Sequence, residues 1–203
     1  MAFKNISDSG DEYEVYIPEG LKDPFAPAWK FPLRLEDRTV DDQLTSRYGV
    51  FGYKRSYYYH SGVDLYTKGK VPVYSVEDGE VVSIIKFTGP PEHDHWLYTQ
   101  AVLVQGASGV VAYGEVTAGA SLRVGDFVSC GEYLADVSPV LPESKARPDI
   151  YGHSTHMLHF EWWDPGTRDS ASWHHGIPTP PNLRNPTAGL QRSWDLLRTN
   201  NGL

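Results

Sequence analysis

The chain has 203 residues, 40% of them apolar and 22% charged, with a net charge of −8. These proportions suit one folded domain rather than a disordered segment. An acidic chain is a poor match for phosphate backbones, which argues against nucleic acid as a partner, and no apolar run reaches the ~18 residues a membrane span needs.

Residues 1–44 read as an irregular N-terminal arm and cover. Acids, Gly and Pro dominate, as in Ser7-Asp8-Ser9-Gly10-Asp11-Glu12 and at Pro18, Pro24 and Pro27. One short strand is expected at Glu14-Val15-Tyr16-Ile17, and a helical turn opening at Val40-Asp41-Asp42-Gln43-Leu44. The run Tyr57-Tyr58-Tyr59 puts rings on both faces of an extended segment, either as packing or as the wall of a cleft.

Residues 60–140 read as strand after strand. Val71 to Val76 precedes the turn Glu77-Asp78-Gly79, and β-branched Glu80 to Phe87 ends at Gly89-Pro90-Pro91. Further strands are predicted at Trp96–Gln105, Val110–Tyr113 and Tyr133–Val137, with a turn at Gly106-Ala107-Ser108-Gly109 and a Gly125-Asp126 turn within the segment Leu122–Val128. Short, evenly spaced strands with Gly-rich turns predict a mainly β fold, a compact antiparallel β-sandwich or barrel-like domain over residues 45–163. His156 to Trp163 is the last predicted strand of that domain. A Pro-rich loop, residues 164–186, then leads into one C-terminal helix, Thr187 to Leu197, with Leu190, Trp194 and Leu197 on one face; residues 164–203 are expected to pack on the β domain.

Few residues offer chemistry. Cys130 is alone, in the turn-like Val128-Ser129-Cys130-Gly131, so the chain holds no internal disulfide. No Gly-x-Ser-x-Gly elbow is present, which argues against a serine hydrolase. His93, His95, His174 and His175 fall in polar or Pro-rich loops and read as exposed; His153 precedes the last β strand and is a candidate for lining a cleft. Two stretches stand out: His60-Ser61-Gly62-Val63-Asp64 and His156-Met157-Leu158-His159-Phe160-Glu161. His nitrogen and Asp oxygen are good zinc ligands, and the even spacing of His60 and Asp64 lets an extended segment aim both to one side. Spacing alone leaves two readings open, a metal site or unrelated polar groups.

These stretches resemble the lysostaphin-type zinc metallopeptidases, whose enzymes read His-x-x-x-Asp early and His-x-His late. The likeness covers about residues 45–163. It includes Val71-Pro72-Val73-Tyr74, Asp78-Gly79-Glu80-Val81-Val82, Tyr113-Gly114, Leu122 to Val128 and Leu158-His159-Phe160-Glu161. The resemblance implies a compact antiparallel β domain with zinc on His60, Asp64 and His159. It implies hydrolysis of peptide bonds, in cell-wall or glycine-rich peptides, through metal-bound water. Two positions that hold His in the family's enzymes hold Glu115 and Met157 here, and His156 lies one residue off register. Glu115 is open to three roles: general base, fourth ligand, or a solvent-facing carboxylate. His156 is a candidate support for the oxyanion, and strand alternation aims it away unless a bulge turns it. The alternative is a catalytically degenerate module that keeps the metal and binds peptide or glycan uncut. The start Met1-Ala2-Phe3-Lys4-Asn5 lacks a basic-then-apolar signal pattern, so a cytoplasmic chain is the default expectation, whereas the resemblance implies the cell envelope or secretion.

Overall fold

A computed structural model of the chain describes residues 2–6, 12–16, 27–39, 44–91, 96–145 and 155–202. Within these the protein is mainly β, with antiparallel sheets, one C-terminal α-helix and no closed barrel. No described helix is long and apolar enough to cross a membrane. Three expectations rest wholly or largely on residues outside the described set: the turn at Val40–Leu44, the His93 and His95 loop, and His153.

The N-terminal arm holds two strands rather than one. β1 (Ala2–Ile6) pairs antiparallel with β2 (Glu12–Tyr16), Ala2 opposite Tyr16. Ala2-Phe3-Lys4-Asn5-Ile6 has no clean apolar alternation, so backbone pairing rather than composition makes it a strand. β3 (Tyr58–Tyr59), β4 (Val63–Tyr66), β5 (Pro72–Tyr74), β6 (Gly79–Lys86), β7 (Gln100–Gly106) and β8 (Gly109–Ala118) follow. Then come β9 (Phe127–Val128), β10 (Tyr133–Val137), β11 (Met157–Trp163), β12 (Trp173–His174) and β13 (Leu183–Arg184). The main sheet runs β13-β11-β8-β7-β6-β9, with β10 joining β8 to β5. β4 lies on the same edge of β11 as β13, opposite β8.

Three predicted segments are revised. The Trp96 strand starts only at Gln100. The Gly125-Asp126 turn expected within Leu122–Val128 is present and leaves only Phe127–Val128 as strand: Gly125 sits at φ +94°, and the Asp126 carboxylate accepts the Arg123 N–H at 2.8 Å, closing the loop on itself. The Pro-rich loop contributes β12, which pairs with β3, and β13, which pairs with β11. Two-residue ladders are too short to leave a periodic pattern.

β11 divides its side chains between two environments. Phe160 and Trp162 both meet Trp29 edge-on, at ring separations of 5.3 and 5.2 Å, so one face belongs to the apolar core. His159, Glu161 and Trp163 share the other face, since the Glu161 carboxylate takes hydrogen bonds from both neighbours. The C-terminal helix spans Thr187–Asn200, three residues longer than predicted, and Asn185 Oδ1 accepts the Thr187 N–H at its start. Leu190 and Trp194 are buried, and Trp194 packs against Phe31 and the guanidinium of the fully buried Arg38. Trp194→Ala is expected to cost about 3–5 kcal/mol in urea unfolding, the usual penalty for emptying a large core site. A loss below about 1 kcal/mol would show that the helix does not hold the core.

Candidate metal centre

Three elements bring the ligand candidates together. His60 ends a hairpin in which the His60 N–H donates to Tyr53 O at 2.9 Å and the Gly52 N–H donates to His60 O at 2.8 Å. Asp64 lies on β4 directly across from His159 on β11, and His159 faces Gly114 of β8 on its other side. Directly opposed strand residues project to one face, so the register alone sets Asp64 beside His159. Two glycines permit the approach. A Cβ on Gly62 would lie 2.8 Å from His159 Nε2, and one on Gly49 would lie 2.9 Å from Asp64 Cβ.

The ligand atoms converge. His60 Nε2 is 3.0 Å from Asp64 Oδ1, His159 Nδ1 is 2.9 Å from the same oxygen, and the two nitrogens are 3.1 Å apart. All three residues are buried. The outward nitrogens settle the tautomers. His60 Nδ1–H donates to Val50 O at 2.9 Å, and His159 Nε2–H donates to Glu161 Oε1 at 3.0 Å. Three lone pairs therefore point at one another, which is tolerable only with a cation among them. Zinc at its usual ~2.0–2.1 Å bond lengths would hold tetrahedral ligand atoms roughly 3.3 Å apart, close to the separations found. Two imidazoles and one carboxylate are also a suitable donor set for zinc, so the residues fit the ion.

Electrostatics agree. Burial pulls His60 below the ordinary imidazole range. His159 is also buried, but its hydrogen bonds to Asp64 and Glu161 outweigh the desolvation and push it up to about 10. Asp64 is held well below the carboxylate range, because the two imidazoles overcome its burial. Without metal the pair of imidazoles thus keeps one proton, on His159, in the place a cation would take.

Glu161 stands in the late motif, and the sequence alone assigns it no role. Its carboxylate is fully buried and accepts from His159 Nε2, Ser61 Oγ (2.6 Å), Trp163 Nε1 (2.9 Å) and Ser170 Oγ (2.7 Å). Four donors offset its desolvation and hold it ionised below its ordinary range. A carboxylate behind a ligating imidazole fixes the ring and raises its basicity. The available signal was the two-residue spacing from His159, which puts both on one strand face.

Glu115 is buried, not solvent-facing, and stands in a β-bulge. Gly114 and Glu115 together oppose Ala101 of β7, and Glu115 sits at φ +60°. That conformation is uncommon for a residue with a Cβ and is associated with functional sites. Burial, then the Asp64 charge, push its carboxyl up to about 8, and its Oε2 has no hydrogen-bond partner among the described residues. The converging ligand group does not include Glu115. His156 is half buried just before β11, in a bridge with Pro139, and is likewise outside that group. Arg55 was not anticipated either: its Nη2 donates to Asp64 Oδ2 at 3.2 Å and to Tyr48 O at 2.9 Å. His174 is exposed as expected, whereas His175 is half buried and packs tilted against Tyr59, ring centroids 4.5 Å apart. Cys130 is exposed in its turn.

No family model and no curated protein matches the sequence. Among solved structures, a zinc-containing peptidase from Vibrio cholerae aligns with 79% of this chain and 42% of its own, at 18% identity and a TM-score of 0.42. Csd3 from Helicobacter pylori aligns in two crystal forms. One covers 99% of this chain and 48% of its own, at 18% identity and a TM-score of 0.39. The other covers 96% and 47%, at 19% identity and 0.40. The chain spans less than half the length of each of these structures.

Two outcomes are expected at this centre. Zinc binding at pH 7 releases about one proton, since His159 is protonated below its raised pKa and must lose that proton to ligate. Calorimetry in buffers of different ionisation enthalpy reads the number, and zero release would contradict the shared-proton picture. Glu161→Gln weakens zinc binding by about 10–100-fold in chelator competition, and unchanged affinity would remove Glu161 from the site.

Proposed function

We propose that the protein is a zinc-dependent hydrolase of peptide bonds, a divergent relative of the lysostaphin-type metallopeptidases. The observation that carries this reading is the convergence of His60 Nε2, Asp64 Oδ1 and His159 Nδ1 with both ring N–H groups turned outward. Three protein ligands leave a fourth position for water or substrate. Zinc in such a site supplies a Lewis acid for a carbonyl and a bound water with a pKa near ~7.

The chain's own residues supply the proton handling. In this reading Glu115 is the general base: it takes the proton of the attacking water on its carboxylate and returns it to the leaving amine. Its bulge position, its burial and its unpartnered Oε2 support that role. A carboxyl tuned upward by burial also suits proton exchange near neutral pH. His156 stays a candidate hydrogen-bond donor to the oxyanion, since the neutral form that partial burial favours still carries one N–H. Domain limits of 45–163 for the peptidase-like unit belong to the same reading, as do cell-wall or glycine-rich peptides as substrates.

Met157 favours a second reading, a module that holds zinc and binds peptide or glycan without cleaving it. Met157 is the residue two before His159, and its thioether offers no strong donor. One assay separates the two. Zinc-loaded protein is incubated with pentaglycine and with muropeptides, beside a Glu115→Gln variant. The hydrolase reading expects turnover that drops about 10²–10⁴-fold in the variant with zinc content unchanged. Binding without turnover in the wild type would favour the non-catalytic module.

A further inference from the structure

We infer that Arg55 is the group that receives an anionic oxygen at this centre, the oxygen that gains charge as a scissile carbonyl is attacked. The inference rests on the hydrolase reading and adds to it a residue for which the metal ligands give no hint.

Arg55 is built into the site from the backbone outward. It sits on the hairpin whose returning limb carries His60, with the Arg55 N–H donating to Tyr58 O at 2.9 Å. Its guanidinium lies 5.6 Å from the Tyr53 ring centroid, a cation–π contact. Nη2 is committed to Tyr48 O and Asp64 Oδ2, and Nε is buried with no partner. The Arg55 side chain is 29% exposed while that of Asp64 is 3% exposed, so the guanidinium reaches from a ligand out to solvent. Its remaining nitrogen, Nη1, takes no protein partner among the described residues and is the edge left for a bound molecule.

Arg55 is also incompletely spent as an ion pair. Its contact with Asp64 is single and 3.2 Å long, whereas a charge-assisted N–H to carboxylate bond runs about 2.7–2.9 Å and is often doubled. A purely structural Arg–Asp clamp would close both bonds. Here only one nitrogen of the fork meets Asp64, and its charge is felt by Glu115 as well. Meanwhile Met157 leaves the β11 side of the centre without a strong donor. A guanidinium keeps its charge at any working pH and matches an oxyanion geometrically. Donors of this kind matter most as negative charge develops, and losing one typically costs ~10²–10³ in rate.

The test uses the zinc-loaded full chain with methylphosphonate as a tetrahedral anionic probe, alongside Arg55→Met and Arg55→Lys. Zinc content by mass spectrometry and methylphosphonate affinity by calorimetry are read first, because neither needs turnover. Arg55→Met should keep its zinc and bind methylphosphonate about tenfold or more weakly, the loss expected for one charged hydrogen bond; Arg55→Lys should fall between it and the wild type. If peptide cleavage is found, kcat should fall about 10²-fold or more in Arg55→Met with KM little changed. Methylphosphonate affinity within twofold of wild type in zinc-loaded variants overturns the inference, and so does a wild type that does not bind the probe. Loss of zinc in both variants also overturns it, since Arg55 would then act only by positioning Asp64. Absence of peptide cleavage with the anion-binding pattern intact would remove the hydrolase reading and leave the anion site standing.

Discussion

Three lone pairs aimed at one point repel, and the centre of this protein is arranged around that repulsion. His60, Asp64 and His159 are buried, and their inward atoms lie 2.9–3.1 Å apart. Neutral rings with outward N–H groups cannot relieve the contact by hydrogen bonding to each other. A cation between them relieves it, whether a metal or the proton that the pair retains on His159. The cost of assembling such a site is carried by the surrounding fold, which satisfies every outward-facing group.

That support comes mainly from β11. Strand alternation lets one short segment serve the apolar core and the polar centre at once, with Phe160 and Trp162 under Trp29 and His159 and Glu161 on the opposite face. Glu161 shows why a fully buried carboxylate is tolerable there. Four donors replace its water, and in return it sets which nitrogen of His159 faces inward. Gly62 and Gly49 matter because any Cβ at those places would push against His159 or Asp64.

The bulge in β8 adds the second layer of chemistry. An uninterrupted ladder would alternate past Gly114 and leave residue 115 directed by the pleat. Two residues against Ala101 break that alternation and hold Glu115 at a positive φ, with its carboxylate buried and under-bonded. Arg55 enters from the unrelated hairpin that carries His60. Three stretches of chain thus supply these side chains: residues 55–64 with Arg55, His60 and Asp64, β8 with Glu115, and β11 with His159.

The β class, the turn at Gly106–Gly109 and the C-terminal helix were readable in the sequence; His60, Asp64 and His159 were readable as donors, and as one ligand set only through the family resemblance. Each depends on local periodicity, turn chemistry or donor type, and these are properties of a residue and its near neighbours. The β1 strand, the short strands β12 and β13, the bulge at Glu115, the donors gathered around Glu161 and the placing of Arg55 were not readable in that way. Those features depend on which strand lies beside which and in what register, and a one-residue shift would send Asp64 and His159 to opposite faces. Local sequence named the atoms able to hold a cation; only the tertiary pairing of β4, β8 and β11 decided that they meet, because contact between residues about a hundred apart is set by strand register and not by composition.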